Sequence, residues 1–234
     1  MSSILAIETS TDACSVALYR DGAVDQRLEI KPRQHNRLLF AMLEEILPAG
    51  KLQELDAIAF GNGPGSFTGL RVACSAVQGL AFAADLPCIG VSTLACQAQG
   101  ALRRGLLSEG DRVISLIDAR VKEIYAGAYR IDAGLAVEIE AAVAVPPDSL
   151  SVEDNSQPAI AIGNGLVFEE QLPPDLRVQL SACHPDVLPE ARDLLPLALD
   201  ALGRGAVQAA ADAVPVYVRD EISWKKLAEQ GANK

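Results

Sequence analysis

Seven residues of this chain occur twice in nearly the same form. Ala57-Ile58-Ala59-Phe60-Gly61-Asn62-Gly63 and Ala159-Ile160-Ala161-Ile162-Gly163-Asn164-Gly165 differ only at Phe60 and Ile162. Each is a short apolar run that reads as a buried strand, closed by glycines that break it. Two further matches precede these in the same order. Ile4-Leu5-Ala6-Ile7-Glu8 matches Ile114-Ser115-Leu116-Ile117-Asp118, both ending in a carboxylate, and Tyr19-Arg20 matches Tyr129-Arg130 at the same offset. Matches that recur in order predict an α/β chain built from a duplicated β-β-β-α-β-α unit. The division falls into residues 1–104 and 105–234.

The first half supports that order element by element. Residues 4–7, 14–19 and 23–30 read as strands, with Asp21-Gly22 turning the chain between the last two. Residues 36–47 read as a helix stopped by Pro48 and Gly50. Residues 57–60 form the next strand, 70–84 the next helix, 87–91 a further strand, and Ser92 caps a helix running to about Arg104. Between strand 57–60 and helix 70–84 lies Gly61-Asn62-Gly63-Pro64-Gly65-Ser66-Phe67-Thr68-Gly69. Glycine alone takes positive φ cheaply and proline fixes φ, so this run forces a tight strand-to-helix turn. Thr68 is placed to cap the helix. The run is no P-loop, because no Gly-Lys-Ser/Thr follows, and no dinucleotide fingerprint, because Ser66 and Thr68 stand where the third glycine belongs. It is either a structural turn or a contact for an anion or a partner.

Half of the 234 residues are hydrophobic, which allows a sizeable core in one large or two small domains. The net charge of −11 argues against a chain that grips RNA or DNA by itself. Five scattered cysteines without a C-x-x-C pair point to reduced thiols in a cytosol. No basic n-region with a cleavage site opens the chain, and no apolar run is read as membrane-spanning. His35 and His184 have no further ligands spaced for zinc, so no metal is expected.

Two such units side by side describe the actin/Hsp70/sugar-kinase-like (ribonuclease H-like) architecture, in which a nucleotide lies between the domains. There Glu8 and Asp118 would face each other across the cleft, able to hold Mg²⁺ or to act as acid and base. Thr9, Ser10 and Thr11 would offer hydroxyls to phosphate, and Gly63, Gly65, Ser66 and Thr68 would face the same space. This makes a nucleotide-dependent phosphotransferase one reading. Against it, Asp118 is followed by Ala119-Arg120-Val121-Lys122, with no glycine for a second phosphate loop.

Two helices carry more apolar surface than one sheet needs. On a wheel, Leu38, Leu39, Phe40, Met42, Leu43, Ile46 and Leu47 span roughly 200°, against the ~100° of an ordinary surface helix. Helix 70–84 has only Arg71, Ser75 and Gln78 as polar side chains and is rich in small residues. The excess predicts a helix-on-helix partner interface over Leu39, Met42, Leu43 and Ile46, and over Leu70, Val72, Ala73, Ala76, Val77, Gly79 and Leu80. The competing reading is that a later segment of the same chain covers them. The tail, extended over 214–219 and then a charged helix over 220–226 with Trp224, reads as a docking element or as a segment folded back on its own domain.

These residues also carry a resemblance. Gly63-Pro64-Gly65-Ser66-Phe67-Thr68-Gly69-Leu70-Arg71 resembles the hallmark of the TsaB family, also called YeaZ. So do the opening Ile4-Leu5-Ala6-Ile7-Glu8-Thr9-Ser10, Gln34-His35-Asn36, and Pro215-Val216-Tyr217-Val218-Arg219 with Trp224-Lys225-Lys226. The resemblance runs over the whole chain and is least characteristic over 133–211. It implies a bacterial, cytoplasmic subunit of the machinery that makes N6-threonylcarbamoyladenosine in tRNA. It also implies that transfer is done by TsaD, a related protein that holds a metal through histidines. Here only His35 lies in the comparable region. The implied role is a non-catalytic dimerisation subunit that pairs with TsaD through its first-domain helices, joined by the ATPase TsaE. Alone, it would form a homodimer, and it would reach tRNA only through the complex, without a membrane. No cofactor is implied beyond a weak ATP or ADP contact at a subunit junction. An older glycoprotease-like label finds no Ser/His/Asp set or metal pair to support it.

Overall fold

The computed structural model describes residues 2–47, 51–153 and 157–218. The expected helix stops Pro48 and Gly50 and the tail helix 220–226 lie outside the described residues. The chain runs β1 (Ser3–Glu8), β2 (Ala13–Arg20), β3 (Ala23–Ile30), α1 (His35–Ile46), β4 (Ala57–Gly63), α2 (Phe67–Ala84), β5 (Cys88–Ser92) and α3 (Thr93–Arg103). It continues β6 (Arg112–Arg120), β7 (Glu123–Asp132), β8 (Leu135–Val145), β9 (Ala159–Ile162), α4 (Pro174–Gln179), β10 (Leu180–His184) and α5 (Ala191–Gly203). The first half therefore has the expected order.

The strands form two five-stranded sheets of matching order, β3-β2-β1-β4-β5 and β8-β7-β6-β9-β10. In each, the first strand of the unit pairs antiparallel with its hairpin partner and parallel with the strand of the repeated motif, through Ile4 opposite Ala57 and Ile114 opposite Ala161. The second copy is reduced. Where the first has α1, a 3-10 turn, Pro147–Ser149, is described; where it has α2, the chain makes a 3-10 stretch, Asn164–Gln171, then α4. Phe168 breaks that stretch with non-helical backbone angles, and Pro173 and Pro174 start a new helix after it.

Each sheet is covered partly by a helix from the other half. α3, from the first half, packs Leu94, Ala95 and Ala98 on the second sheet's Val113, Ile117 and Tyr129. α5, from the second half, packs Leu194, Leu195 and Ala198 on Ile4, Ala6 and Ala59 of the first sheet. The two helices are tied where they cross: Arg103 Nε donates to Asp193 Oδ1 at 2.6 Å and its Nη2 to Oδ2 at 3.0 Å, with Glu190 at 3.1 Å.

α1 and α2 lie on the opposite face of the first sheet, and here one expectation is corrected. Leu39, Met42, Leu43, Ile46, Leu70, Ala73, Ala76 and Val77 are buried in the core that these helices share with β1, β2 and β4. They cannot line a partner surface, because the sheet already takes them. Of the expected interface residues, Val72, Gly79 and Leu80 keep exposure. The competing reading is partly met as well: Ala213 is buried in the same core, and Gln78 Nε2 donates to its carbonyl at 3.1 Å. The outer apolar residues are instead Phe40, 58% exposed, and Phe82, 84% exposed. A second correction concerns length: α2, 18 residues with mean hydropathy 1.3, does reach that of a membrane-crossing helix, though one face is built into this core.

The tie between α3 and α5 is a charge pair with Asp193 1% exposed. Removing one partner of a buried pair strands the other. Arg103 is itself about one third exposed, so Arg103→Ala is expected to cost about 2 kcal/mol, below the ~3–5 of a fully buried pair. Urea unfolding measures this, and an unchanged midpoint would show that the crossing helices hold without the pair.

Candidate functional site

The glycine run works mainly as a joint. β4 extends through Asn62 to Gly63 before the chain enters the cis Gly63-Pro64 bond. α2 then begins at Phe67, capped by Ser66, whose Oγ accepts from Gly69 N at 3.3 Å. The cap is thus Ser66 and not Thr68, because the helix starts three residues earlier than its apolar pattern suggests. Two bonds fasten this turn to the end of β1: Thr9 Oγ1 donates to Gly69 O at 2.7 Å, and Ser66 N donates to Ser10 O at 2.7 Å. A Cβ on Gly65 would strike Ser10, and one on Gly69 would strike the Thr9 carbonyl.

Glu8 sits beneath this joint and is fully buried. Its Oε1 accepts from Ser10 N at 2.6 Å, and its carboxyl fills the space that a side chain at Gly61 would need. Burial raises its pKa above the usual carboxylate value, with the Ser10 hydrogen bonds opposing. The expected pair of carboxylates facing each other is therefore corrected: Glu8 points into the core, and Thr9 is spent on the Gly69 carbonyl. Gly63 lies under the tail rather than in the cleft, since a Cβ there would meet the Val216 carbonyl.

The cleft itself is real, with a volume of about 680 Å³. Of the expected residues, Ser10, Thr11, Gly65, Ser66, Thr68 and Asp118 line it. Asp118 N donates to Asn164 Oδ1 at 3.0 Å, so the repeated Gly-Asn-Gly motif positions this wall. Among the described residues Arg120 is the one cation lining it, 3.4 Å from Asp118 and 3.9 Å from Asp12. The β6–β7 hairpin holds Arg120, Val121 and Lys122 at φ of 63°, 54° and 62°. A β-branched residue there is strained. Sequence reasoning did not assign Asp12, Arg120, Phe67 or Tyr125 to the cleft; they are loop and strand-end residues whose convergence needs both hairpins placed.

The raised pKa of Glu8 has a sign. The folded chain keeps this proton to higher pH than the unfolded chain, so the contribution to stability is full below pH 4.5 and is lost as pH rises through the folded pKa. Glu8→Gln keeps an acceptor for Ser10 N and carries no charge. Its stability relative to the parent is expected to rise as pH climbs above 4.5, as read from urea midpoints. Parallel pH profiles would mean that Glu8 is ionised in the core.

Comparison with known proteins gives this geometry a family. Residues 28–175 match the family model described as TsaD: tRNA N6-adenosine threonylcarbamoyltransferase. The chain is 39% identical over 232 residues to the tRNA threonylcarbamoyladenosine biosynthesis protein TsaB of Escherichia coli (strain K12), covering 96% of this chain and 97% of that protein. It is 36% identical over 110 residues to the tRNA N6-adenosine threonylcarbamoyltransferase of Burkholderia thailandensis, covering 39% of this chain and 32% of that protein. The solved structure of YeaZ from Pseudomonas aeruginosa superposes with a TM-score of 0.86 at 40% identity, covering 93% of this chain and all of that one. With two matching sheets around a cleft, the chain belongs to the TsaB (YeaZ) family of tRNA threonylcarbamoyladenosine biosynthesis proteins, in the actin/Hsp70-like superfamily, and shares its family model with TsaD.

Proposed function

We propose that this chain is a non-catalytic subunit of the tRNA threonylcarbamoyladenosine machinery, pairing with TsaD through the outer faces of α1 and α2, with TsaE joining the pair. The observation that carries this reading is the outer face of α2. Phe82 stands 84% exposed beside Gly79 and Ala83, and Ser75 lies one turn before, all open to solvent. Small residues let a second helix approach closely, and an aromatic beside them is an anchor. Phe40, 58% exposed on α1, is a second apolar residue turned to solvent. Burying one such phenylalanine is worth about 1.5–3 kcal/mol.

The cleft supports a subunit that leaves the chemistry to its partner. Two carboxylates, Asp12 and Asp118, line it against Arg120, and the second hairpin has no glycine to open its N–H groups to phosphate. A nucleotide-dependent phosphotransferase would find enough volume there, but not the charge. The same outer helical face would serve a homodimer when TsaD is absent, and an acidic chain would meet tRNA only through the complex.

Titrating TsaD with the purified chain by calorimetry or size exclusion tests the pairing. Phe82→Glu should weaken it at least ~30-fold, the size of a hot-spot loss of about 2 kcal/mol. Because Phe82 touches water, the isolated variant should unfold at the parental midpoint. An unchanged Kd for Phe82→Glu would remove α2 from the interface.

A further inference from the structure

The first turn of α2 presents an arginine that is held in place and yet carries no counter-charge. Arg71 lays its guanidinium 3.7 Å over the Phe67 ring, one turn before it, and its Nε donates to the Tyr217 hydroxyl at 3.2 Å. Tyr217 packs its own ring 5.6 Å from that of Phe67. It is brought there by residues 214–218, a strap laid across the glycine joint. Val216 N donates to Asn62 O at 2.7 Å, and the Val216 carbonyl lies directly over Gly63, whose φ of 124° and missing Cβ make the close approach feasible. Stacking and the Nε bond fix the plane of the guanidinium. Its two terminal nitrogens have no partner among the described residues, and no carboxylate there pairs with it. This holds in a chain with 31 acidic side chains to 20 lysines and arginines. An arginine free in water loses rotamer freedom when it binds; this one is already ordered.

Where Arg71 faces follows from the helix. Arg71, Ser75, Gly79 and Phe82 recur every three or four residues, so they share one stripe of α2, and all four are exposed. The cleft wall takes Phe67, Thr68 and Leu70 from this end of α2 but not Arg71. Arg71 therefore belongs to the outer face that also carries Phe82, roughly 16 Å away along the helix. We infer that Arg71 is the polar anchor of the surface proposed above for TsaD, and that its two terminal nitrogens take one aspartate or glutamate carboxylate of that partner. A planar fork matches a carboxylate through two parallel hydrogen bonds, which fixes register as well as adding attraction. The stripe then defines what fits it: a helix that packs closely over Ser75 and Gly79, with a pocket for Phe82 at one end and a carboxylate at the other. The inference rests on the pairing with TsaD and adds its charge.

Calorimetric titration of TsaD with the full-length chain tests this. Arg71→Ala is expected to weaken binding about tenfold, the scale of a lost hydrogen bond to a charged group. Arg71→Lys keeps the charge without the fork and should recover only part of that loss. Arg71→Glu should bind more weakly than Arg71→Ala, because two carboxylates would then face each other. The parent's Kd should rise with salt more steeply than that of Arg71→Ala. Tyr217→Phe keeps the ring and removes the acceptor for Nε. It should weaken the parent and add nothing to Arg71→Ala, as expected of a residue that acts through Arg71. Far-UV circular dichroism should be parental in all of these variants, since Arg71 is exposed. Equal affinity of the Ala and Glu variants overturns the carboxylate contact. So does parental affinity of Arg71→Ala while Phe82→Glu loses binding, a result that leaves the pairing through α2 standing. Parental affinity in both Arg71→Ala and Phe82→Glu, or no binding by the parent, overturns the surface and the inference together.

Discussion

The structure depends on how the end of β1 is fastened to the start of α2. Two hydrogen bonds, from the Thr9 hydroxyl to Gly69 O and from Ser66 N to Ser10 O, do this across a close approach that Gly65 and Gly69 allow because they have no side chains. Buried backbone groups must be paired, and here the Gly69 carbonyl takes the Thr9 hydroxyl while the Ser10 carbonyl takes Ser66 N–H. The same glycines that look like a phosphate cradle in the sequence are used up in close packing. Glu8 follows from this. With Gly61 empty beside it and Ser10 N above it, its carboxyl lies in the core, where burial raises its pKa. What would be a metal-holding carboxylate in an open cleft becomes part of the floor beneath the joint.

A second constraint acts at the level of the two halves. Duplication gave two sheets of one topology, but neither half covers its own sheet completely. α3 and α5 are exchanged across the centre and locked by Arg103 and Asp193. The arrangement spares the second half a full helical layer: a 3-10 stretch and short α4, with Leu150, Val152, Leu166 and Leu176, cover the face left over. The first half keeps full-length α1 and α2 on its free face, so the two copies differ most in the layer pointing away from the centre. That asymmetry is why the proposed partner surface lies on one half only.

Much of this was legible in the residues. The repeated Ala-Ile-Ala-x-Gly-Asn-Gly run marked both β4 and β9, and the carboxylate-ended runs marked β1 and β6, because strand patterning is local. The apolar excess of α1 and α2 was legible as a quantity but not as an address. A wheel shows how wide an apolar arc is; only the sheet decides which side of it is buried. Leu39 and Ala76 fell on the inside, Phe40 and Phe82 on the outside. The position of Glu8 was hidden for a related reason. Its burial follows from Ile7 lying opposite Phe60, which sets Glu8 beside Gly61, and that register is a long-range fact. The cap moved from Thr68 to Ser66 because apolar periodicity is silent about a first helical turn made of Phe67, Thr68 and Gly69.

The two hairpins border the cleft in different ways. In the first half four residues, Thr9 to Asp12, link β1 to β2, and their hydrogen bonds turn inward to the joint. In the second half the link is only Val121 and Lys122, with Asp118 accepting from Arg120 N at 2.8 Å and tied to Asn164. Each hairpin brings an aspartate to the space between them, Asp12 from the first and Asp118 from the second. An anion entering there would meet Asp12 and Asp118 at close quarters, with Arg120 shared between them. The volume persists because the exchanged helices hold the sheets at a set spacing, whatever the hairpins have become. The scaffold keeps the cavity open, and the strap at Val216 and Tyr217 forms part of its wall.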